Sequence, residues 1–365
     1  MKRTKLALAA AGLLFSALSL AQQPPGPPPQ ADMTVDAAQR QLVIDGVIRE
    51  LRASYVFPEL AKKVELDLRQ RQKRGAYAAI TSAEKLSKTL TDDIRALTND
   101  KHLRVSYSAE PLPEMSKDKK PDAEQQAAEL ADMKAQNFGI ERVERLPFNV
   151  GYFALNAFAP AKTAADSIAA AMTVLGNTDA LIIDLRKNGG GDPSTVTMLA
   201  SYFLDERTHM TDIYYREGDR TEQMWSSDNV AGTRYGQKKD VYILTSKYTF
   251  SAAEDFSFAM KNLKRVTIVG ETTGGGAHPG DVTRLNEHFD MFVPNGRSMN
   301  PVTKLDWEVV GVAPDIATSA DDALKTAQVA ILKKIAAAEK NVQRQGRINA
   351  RIAQMESKGS AGAAP

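Results

Sequence analysis

Ser251 stands in Y-T-F-S-A-A-E-D-F, residues 248–256, and its spacing to Glu254 permits two kinds of chemistry. S-x-x-E is a capping box, in which the serine oxygen takes an orphan backbone N–H and the glutamate reaches back to the cap. The same geometry sets a hydroxyl at the positive end of a helix, beside free N–H groups able to hold an oxyanion. A cap and a nucleophile are therefore both open. A nucleophilic serine needs backbone donors and a base. D-L-R-K-N-G-G-G-D-P, residues 184–193, supplies three glycines at which the backbone can approach a ligand closely. A plain loop or a phosphate cradle would use the same glycines, but neither G-x-G-x-x-G nor G-K-[ST] is present. The base must come from four histidines. His209 reads as part of a polar turn, and His288 alternates with Phe289 and Met291 as a surface residue of a strand. His102, in N-D-K-H-L-R-V, and His278, in G-G-G-A-H-P-G, both remain eligible.

The elements that must position these groups follow from periodicity. Val43, Ile44, Val47, Ile48 and Leu51, then Leu86, Leu90, Ile94 and Leu97, recur at helix spacing, which predicts a small domain of about three helices. Residues 110–136 are polar and are expected to form a mobile connection. After Phe148 the texture changes to strands alternating with helices. N-V-G-Y-F-A-L-N, D-A-L-I-I-D-L-R, D-V-Y-I-L-T-S and R-V-T-I-V-G read as strands, with a hairpin across E-G-D-R. Helices are expected up to Gly176, from Pro193 and from Ser251. This alternation predicts parallel βαβ units and an α/β fold. Ser251 then lies just past the carboxyl end of a parallel strand, where open sheets place their sites, and the nucleophile reading gains over the cap.

The chain's 365 residues suggest about two domains plus tails, with 43% apolar and 25% charged residues. Lys2, Arg3 and Lys5 precede an apolar run that ends at Ser19-Leu20-Ala21, the pattern of a cleavable signal over residues 1–21. A membrane anchor is the alternative, but the run is short and is followed by Q-Q-P-P-G-P-P-P-Q. Export to the periplasm or medium is the expectation. Of 47 basic and 45 acidic residues, cleavage removes three basic ones, leaving 44 against 45 and a net charge of −1. Such a balance calls for neither nucleic acid nor an anionic membrane, and the mature chain is expected to have no integral membrane segment. With no cysteine there is no disulfide, thiol nucleophile or cysteine-based metal site. No H-E-x-x-H or equivalent cluster appears, so neither a metal nor an organic cofactor is expected.

Taken in order, D-L-R-K-N-G-G-G, T-S-K-Y-T-F-S-A-A-E-D-F, V-G-E-T-T-G-G-G-A-H-P-G and W-E-V-V-G-V-A-P-D-I resemble the tail-specific, or carboxyl-terminal processing, serine proteases. The similarity is to the branch holding the tricorn core and the repeats of interphotoreceptor retinoid-binding protein. Y-V-F-P-E-L-A-K-K-V and L-T-N-D-K-H-L-R-V resemble that branch's helical leader. The likeness covers roughly residues 35–330. It implies a crotonase-like ββα spiral core behind a small helical domain. The expected layout is signal 1–21, Pro-rich tether 22–33, helical domain 34–100, connection 101–144, protease domain 145–320, a C-terminal helix 321–356 and a disordered tail 357–365.

The resemblance also assigns roles. Its nucleophile falls on Ser251. The processing branch's lysine, five residues after the glutamate of G-E, would fall on Gly276, so a Ser–Lys dyad is not expected. The tricorn-like roles fall on His102 as base and Glu308 as its support, directly or through a bridging group. The hydroxyl that supports the histidine there is replaced by Lys101, with Asp100 or Thr98 as possible substitutes. Oxyanion donors would be Gly190, or a neighbouring glycine, and Ala252. There is no PDZ-like insert. The function implied is an exported serine endopeptidase acting on peptides or unfolded proteins through an acyl-enzyme. The retinoid-binding relatives keep the fold and bind apolar ligands, so an exported binding module is the alternative.

Overall fold

A helical layer opens the chain because three amphipathic segments each carry their own start signal. The computed structural model describes residues 30–113 and 123–360, so the expected signal, most of the tether and the last five residues lie outside the described residues. Helix α1 (Ala37–Ser54) begins at an Asp36–Gln39 capping box and buries Val43, Ile44, Val47, Ile48 and Leu51. Helix α2 (Pro58–Lys73) has proline in its first turn, where the missing N–H costs nothing. Helix α3 (Ala83–Thr98) is capped by Ser82 and stops at Asn99 in the left-handed conformation. That stop turns the chain so that Asp100, Lys101 and His102 lead into strand β1 (Arg104–Tyr107).

Helix α4 (Ala123–Ala135) occupies part of the segment expected to be a mobile connection. It buries no residue, so good helix formers such as Ala, Glu and Gln hold it rather than packing. The remaining elements are β2 (Ile140–Leu146), β3 (Val150–Leu155), α5 (Ala161–Leu175), β4 (Ala180–Asp184), α6 (Pro193–Ser201), β5 (His209–Tyr215), β6 (Arg220–Trp225) and β7 (Asp240–Thr245). They continue with α7 (Ala252–Asn262), β8 (Thr267–Gly270), β9 (Gly280–Arg284), β10 (Phe289–Pro294), β11 (Gly296–Met299), β12 (Ile316–Ala317), α8 (Ala320–Ala338) and α9 (Val342–Ser360).

A six-stranded sheet in the order β12-β8-β7-β4-β3-β2 forms the centre. All its pairs are parallel except β2 with β3. Strands buried on both faces read as near-continuous apolar runs, as A-L-I-I-D does. Phe153, Leu181 and Ile243 face a core shared with Met172, Leu199, Phe203 and Phe256. Tyr152, Ile182, Leu244 and Val269 face the opposite layer, closed by Ala323, Ala327 and Ile331 of α8. The α/β class and the helical leader expected from the sequence are therefore observed, with β5–β6 as the hairpin across E-G-D-R.

A third core ties the helical layer to the later strands. β1 pairs with β10, Arg104 opposite Phe292 and Val105 opposite Met291. Leu103, Phe289 and Met291 pack with Val47, Leu51 and Leu90. His102 is thereby carried to the mouth of the central sheet by chain far from Ser251. The single C-terminal helix expected to end at 356 is two helices. The chain breaks at extended Glu339, Asn341 caps the Arg344 N–H at 3.0 Å, and α9 runs through to Ser360.

Candidate active site

Strand β7 ends at Thr245, and the chain turns through Phe250 to place Ser251 at the N-cap of α7. Ser251 has φ 54° and ψ −122°, whereas an ordinary N-cap is extended. A non-glycine residue held there costs of order 1–3 kcal/mol and persists only where its surroundings over-determine it. Glu254 supplies much of that constraint. Its Oε2 accepts the Ser251 N–H at 3.0 Å and the Gly276 N–H at 2.8 Å. Its Oε1 accepts the Gly275 N–H at 2.6 Å and the Thr273 hydroxyl. Burial raises this carboxyl above its usual range, although all four donors pull it down. The motif read as a capping box thus also clamps the serine turn to the G-G-G loop.

Two backbone donors stand near the hydroxyl. The Ala252 N–H opens α7 and meets no acceptor among the described residues. Gly190 packs so closely that a β-carbon there would lie 2.7 Å from Ser251 Cβ. However, its N–H donates to Asn188 Oδ1 at 2.8 Å, which leaves the other half of the expectation, a neighbouring glycine, the better placed donor. The Gly190 carbonyl accepts the Phe158 N–H at 2.8 Å, and a trans peptide turns the next N–H, that of Gly191, the opposite way. Gly191 lines the cavity and its N–H has no acceptor among the described residues.

Ser251, Ala252 and His102 line one cavity of about 370 Å³. The His102 ring lies 4.5 Å from Phe250 and 5.6 Å from Phe292, centroid to centroid. Its Nδ1 and Nε2 are buried without a hydrogen-bond partner, and its backbone N–H donates to Asp100 Oδ1 at 3.0 Å. Burial pushes the imidazole down to about 4, against the pull of Asp100. An uncharged ring with an open nitrogen can accept a proton.

Glu308 is placed elsewhere than a direct contact with His102 would require. Its Oε2 accepts the Ala277 N–H at 2.5 Å and lies 3.5 Å from His278 Nδ1. His278 Nδ1 is 2.8 Å from Asp100 Oδ2, which also accepts the Tyr55 hydroxyl at 3.2 Å. Burial raises Glu308 to about 7, although His278 lowers it. The route from Glu308 to the base thus runs through His278 and Asp100 to the His102 backbone. Asp100, His278 and Glu308 each offer an atom within 4.8 Å of the others, the spacing of a ligand set. As they stand they pair with one another.

The other candidates are also placed. Lys101 reaches the Gly274 carbonyl, and the Thr98 hydroxyl donates to Ile94 O at 3.0 Å, so neither meets the His102 ring. His209 opens β5 instead of a turn, stacked on Trp225 and 2.8 Å from Asp212. His288 Nδ1 sits 3.0 Å from Ser108 O. Sequence reasoning missed the Glu254 clamp, the Asn188 brace and the aromatic walls of His102. The asparagine directly before G-G-G was the one visible sign of the brace.

Residues 149–318 match the family described as "Peptidase family S41", and residues 33–141 match "N-terminal domain of Peptidase_S41 in eukaryotic IRBP". The chain is 27% identical over 168 residues to a carboxyl-terminal-processing peptidase 2, chloroplastic, of Arabidopsis thaliana, covering 46% of this chain and 31% of that protein. It is 28% identical over 141 residues to a tail-specific protease of Haemophilus influenzae, covering 37% and 16%. The matched stretch thus spans about a third or less of these relatives. Among solved structures, a putative peptidase from Parabacteroides merdae aligns with TM-score 0.52 and 20% identity over 77% of this chain and 90% of that one. Mature CPAF complexed with lactacystin aligns with TM-score 0.51 and 13% identity over 81% and 97%. These alignments establish likeness of fold. No described helix is long and apolar enough to cross a membrane.

Proposed function

The chain belongs to peptidase family S41, and on that premise we propose that it is an exported serine endopeptidase acting on peptides or unfolded proteins through an acyl-enzyme. The observation that carries this reading is Ser251. It is held at positive φ by a buried glutamate and shares its cavity with an uncharged, unpartnered His102 ring.

In the first step a ring nitrogen of His102 takes the Ser251 proton as Oγ attacks the peptide carbonyl. The N–H groups of Ala252 and Gly191 receive the oxyanion, and the positive end of α7 adds to them. The imidazolium then gives its proton to the leaving amine, and the same ring activates the water that releases the acyl group. Asp100 holds the backbone of His102, and Glu308 acts at one remove, through His278. Removing one oxyanion donor typically lowers the rate about 10²–10³-fold.

Fluorophosphonate labelling tests this reading. The parent should be labelled, and Ser251→Asn and Ser251→Ala should be unlabelled and inert. Both variants should melt close to the parent, because the turn is held through the Ser251 backbone N–H and Glu254, which neither substitution removes. A Ser251→Asn protein that still cleaves peptides at the parent's rate would sink the nucleophile assignment. A parent that takes no label and cleaves nothing would favour a binding module on this fold.

A further inference from the structure

Asp255 is a buried carboxylate with too few partners, and it opens on the cavity of Ser251. It is 5% exposed and lines that cavity. Its Oδ1 accepts the Thr211 hydroxyl at 2.6 Å, and no described donor reaches Oδ2. No cation pairs with it among the described residues. Lys304 is paired with Asp212, at 2.8 Å. A buried carboxylate without a countercharge is costly and is normally paired. Here burial raises its pKa to about 6, so at neutral pH the group is charged and still unpaired. Nothing in the steps proposed above uses it.

We propose that Asp255 is the floor of a specificity subsite that receives the cationic end of a lysine or arginine side chain of the substrate beside the scissile bond. This rests on the peptidase reading and names the substrate class of the same site. Position on α7 supports it first. The Asp255 N–H donates to the Ser251 carbonyl at 2.9 Å, so the two lie one turn apart, about 6 Å along α7, and both line the cavity. The four-carbon stem of a lysine bridges about that span. The walls support it second. Ala252, Pro193, Ala277 and Pro279 line the cavity with apolar surface, which suits a methylene stem. Arg95, Lys101 and Arg104 also line the cavity, and like charge keeps a cationic side chain from that wall. Among the charged groups that line the cavity, Asp255 is the one whose sign attracts a cation.

The test is a set of peptides varied at one position on either side of the cleaved bond and read as kcat/KM. The parent should prefer lysine or arginine over methionine and glutamine by about tenfold or more at one position. In Asp255→Asn that ratio should fall to within about threefold, while Ser251 still takes a fluorophosphonate label. A parent that is labelled and cleaves peptides with no preference for a cation overturns the subsite and leaves the peptidase intact. So does a preference for glutamine, acidic or apolar residues. An Asp255→Asn protein that keeps the parent's ratio overturns it as well. Should Asp255→Asn fail to fold, the parent's own profile decides. A parent that is neither labelled nor active on any peptide removes the peptidase reading and this inference together.

Discussion

Replacing His278 by glutamine probes the buried cluster behind His102. Its side chain is 7% exposed, against 1% for Asp100 and 12% for Glu308, and Nδ1 lies between the two carboxylates. Burial pushes the imidazole down, but Asp100 and then Glu308 outweigh it, and the group is held above its ordinary value. Removing one member of a buried ion pair costs about 3–5 kcal/mol, because a charge is left uncompensated. The sign against pH follows from proton counting. Above about pH 6.5 the unfolded chain releases a His278 proton that the folded chain keeps, so stability falls as pH rises through the folded pKa. The slope is at most about 1.4 kcal/mol per pH unit for one proton. Glu308 contributes the same sign between 4.5 and about 7. His102 contributes the opposite sign between about 4 and 6.5, because its folded value is depressed. Urea unfolding between pH 6.5 and 8.5 avoids that opposing range. The variant should be less stable than the parent by roughly 3 kcal/mol at pH 6.5, and the gap should narrow towards pH 8.5. Parallel curves, or equal stability at pH 6.5, would refute the claim that Asp100 holds His278 as a cation. Because His278 does not line the cavity, the variant should still be labelled at Ser251.

In Gly276→Ala, the new carbon would sit 2.2 Å from Phe250 Cζ and 2.7 Å from His102 Cε1, so kcat should fall about 10²-fold or more. Peptide hydrolysis by a variant that keeps a cooperative melt checks this, and near-parent kcat would show that the ring is free to move. The pH profile of kcat/KM should hold well below the ordinary histidine range, because burial pushes His102 to about 4 and the base works only when neutral. An acid limb centred at 6–7, where an unperturbed histidine would put it, would mean that the ring is solvated or paired in the working enzyme. Glu254→Gln should lower stability by about 2–5 kcal/mol, since either orientation of the amide turns an NH2 group towards two donors. Chemical unfolding reads the loss, and kcat should drop with it as the serine turn loosens.

How much of this was legible in the sequence depended on the range of the interactions involved. Helices α1 and α3 were readable because one apolar face repeats every three to four residues, and β4 and β7 because each is apolar on both faces. Ser251 was readable because a cap signal followed a buried strand. Local competition hid other features. The charged run before Ala123 masked a segment of good helix formers, and an asparagine side chain two residues away took the Gly190 N–H. His209 looked like turn material until Trp225, sixteen residues on, stacked against it as the partner strand. Glu308 was the least readable. Its neighbours Ala277 and His278 come from the G-G-G-A-H-P-G loop, and Asp100, which clusters with them, from the end of α3, stretches that no spacing rule connects.

Gly276 brings the two possible bases into one argument. It occupies the position at which the resemblance would place a catalytic lysine, and an absent lysine could be read as an absent activity. The space a side chain would fill there is taken by Phe250 and the His102 ring. A side chain at 276 would therefore meet Phe250 and the His102 ring, and Gly276, His102 and Ser251 all line one cavity. The ring arrives by a route that begins outside the β-sheet. α3 stops at Asn99, Asp100 holds the next turn, and β1 pairs with β10 so that Phe292 closes over the imidazole. Glycine at 276 thus leaves room for the His102 ring, and on the proposed mechanism the helical layer is part of the site because it leads into that residue. The same glycine gives its N–H to Glu254, which fixes the serine turn. One backbone position therefore makes room for the imidazole and helps to hold the turn that carries Ser251.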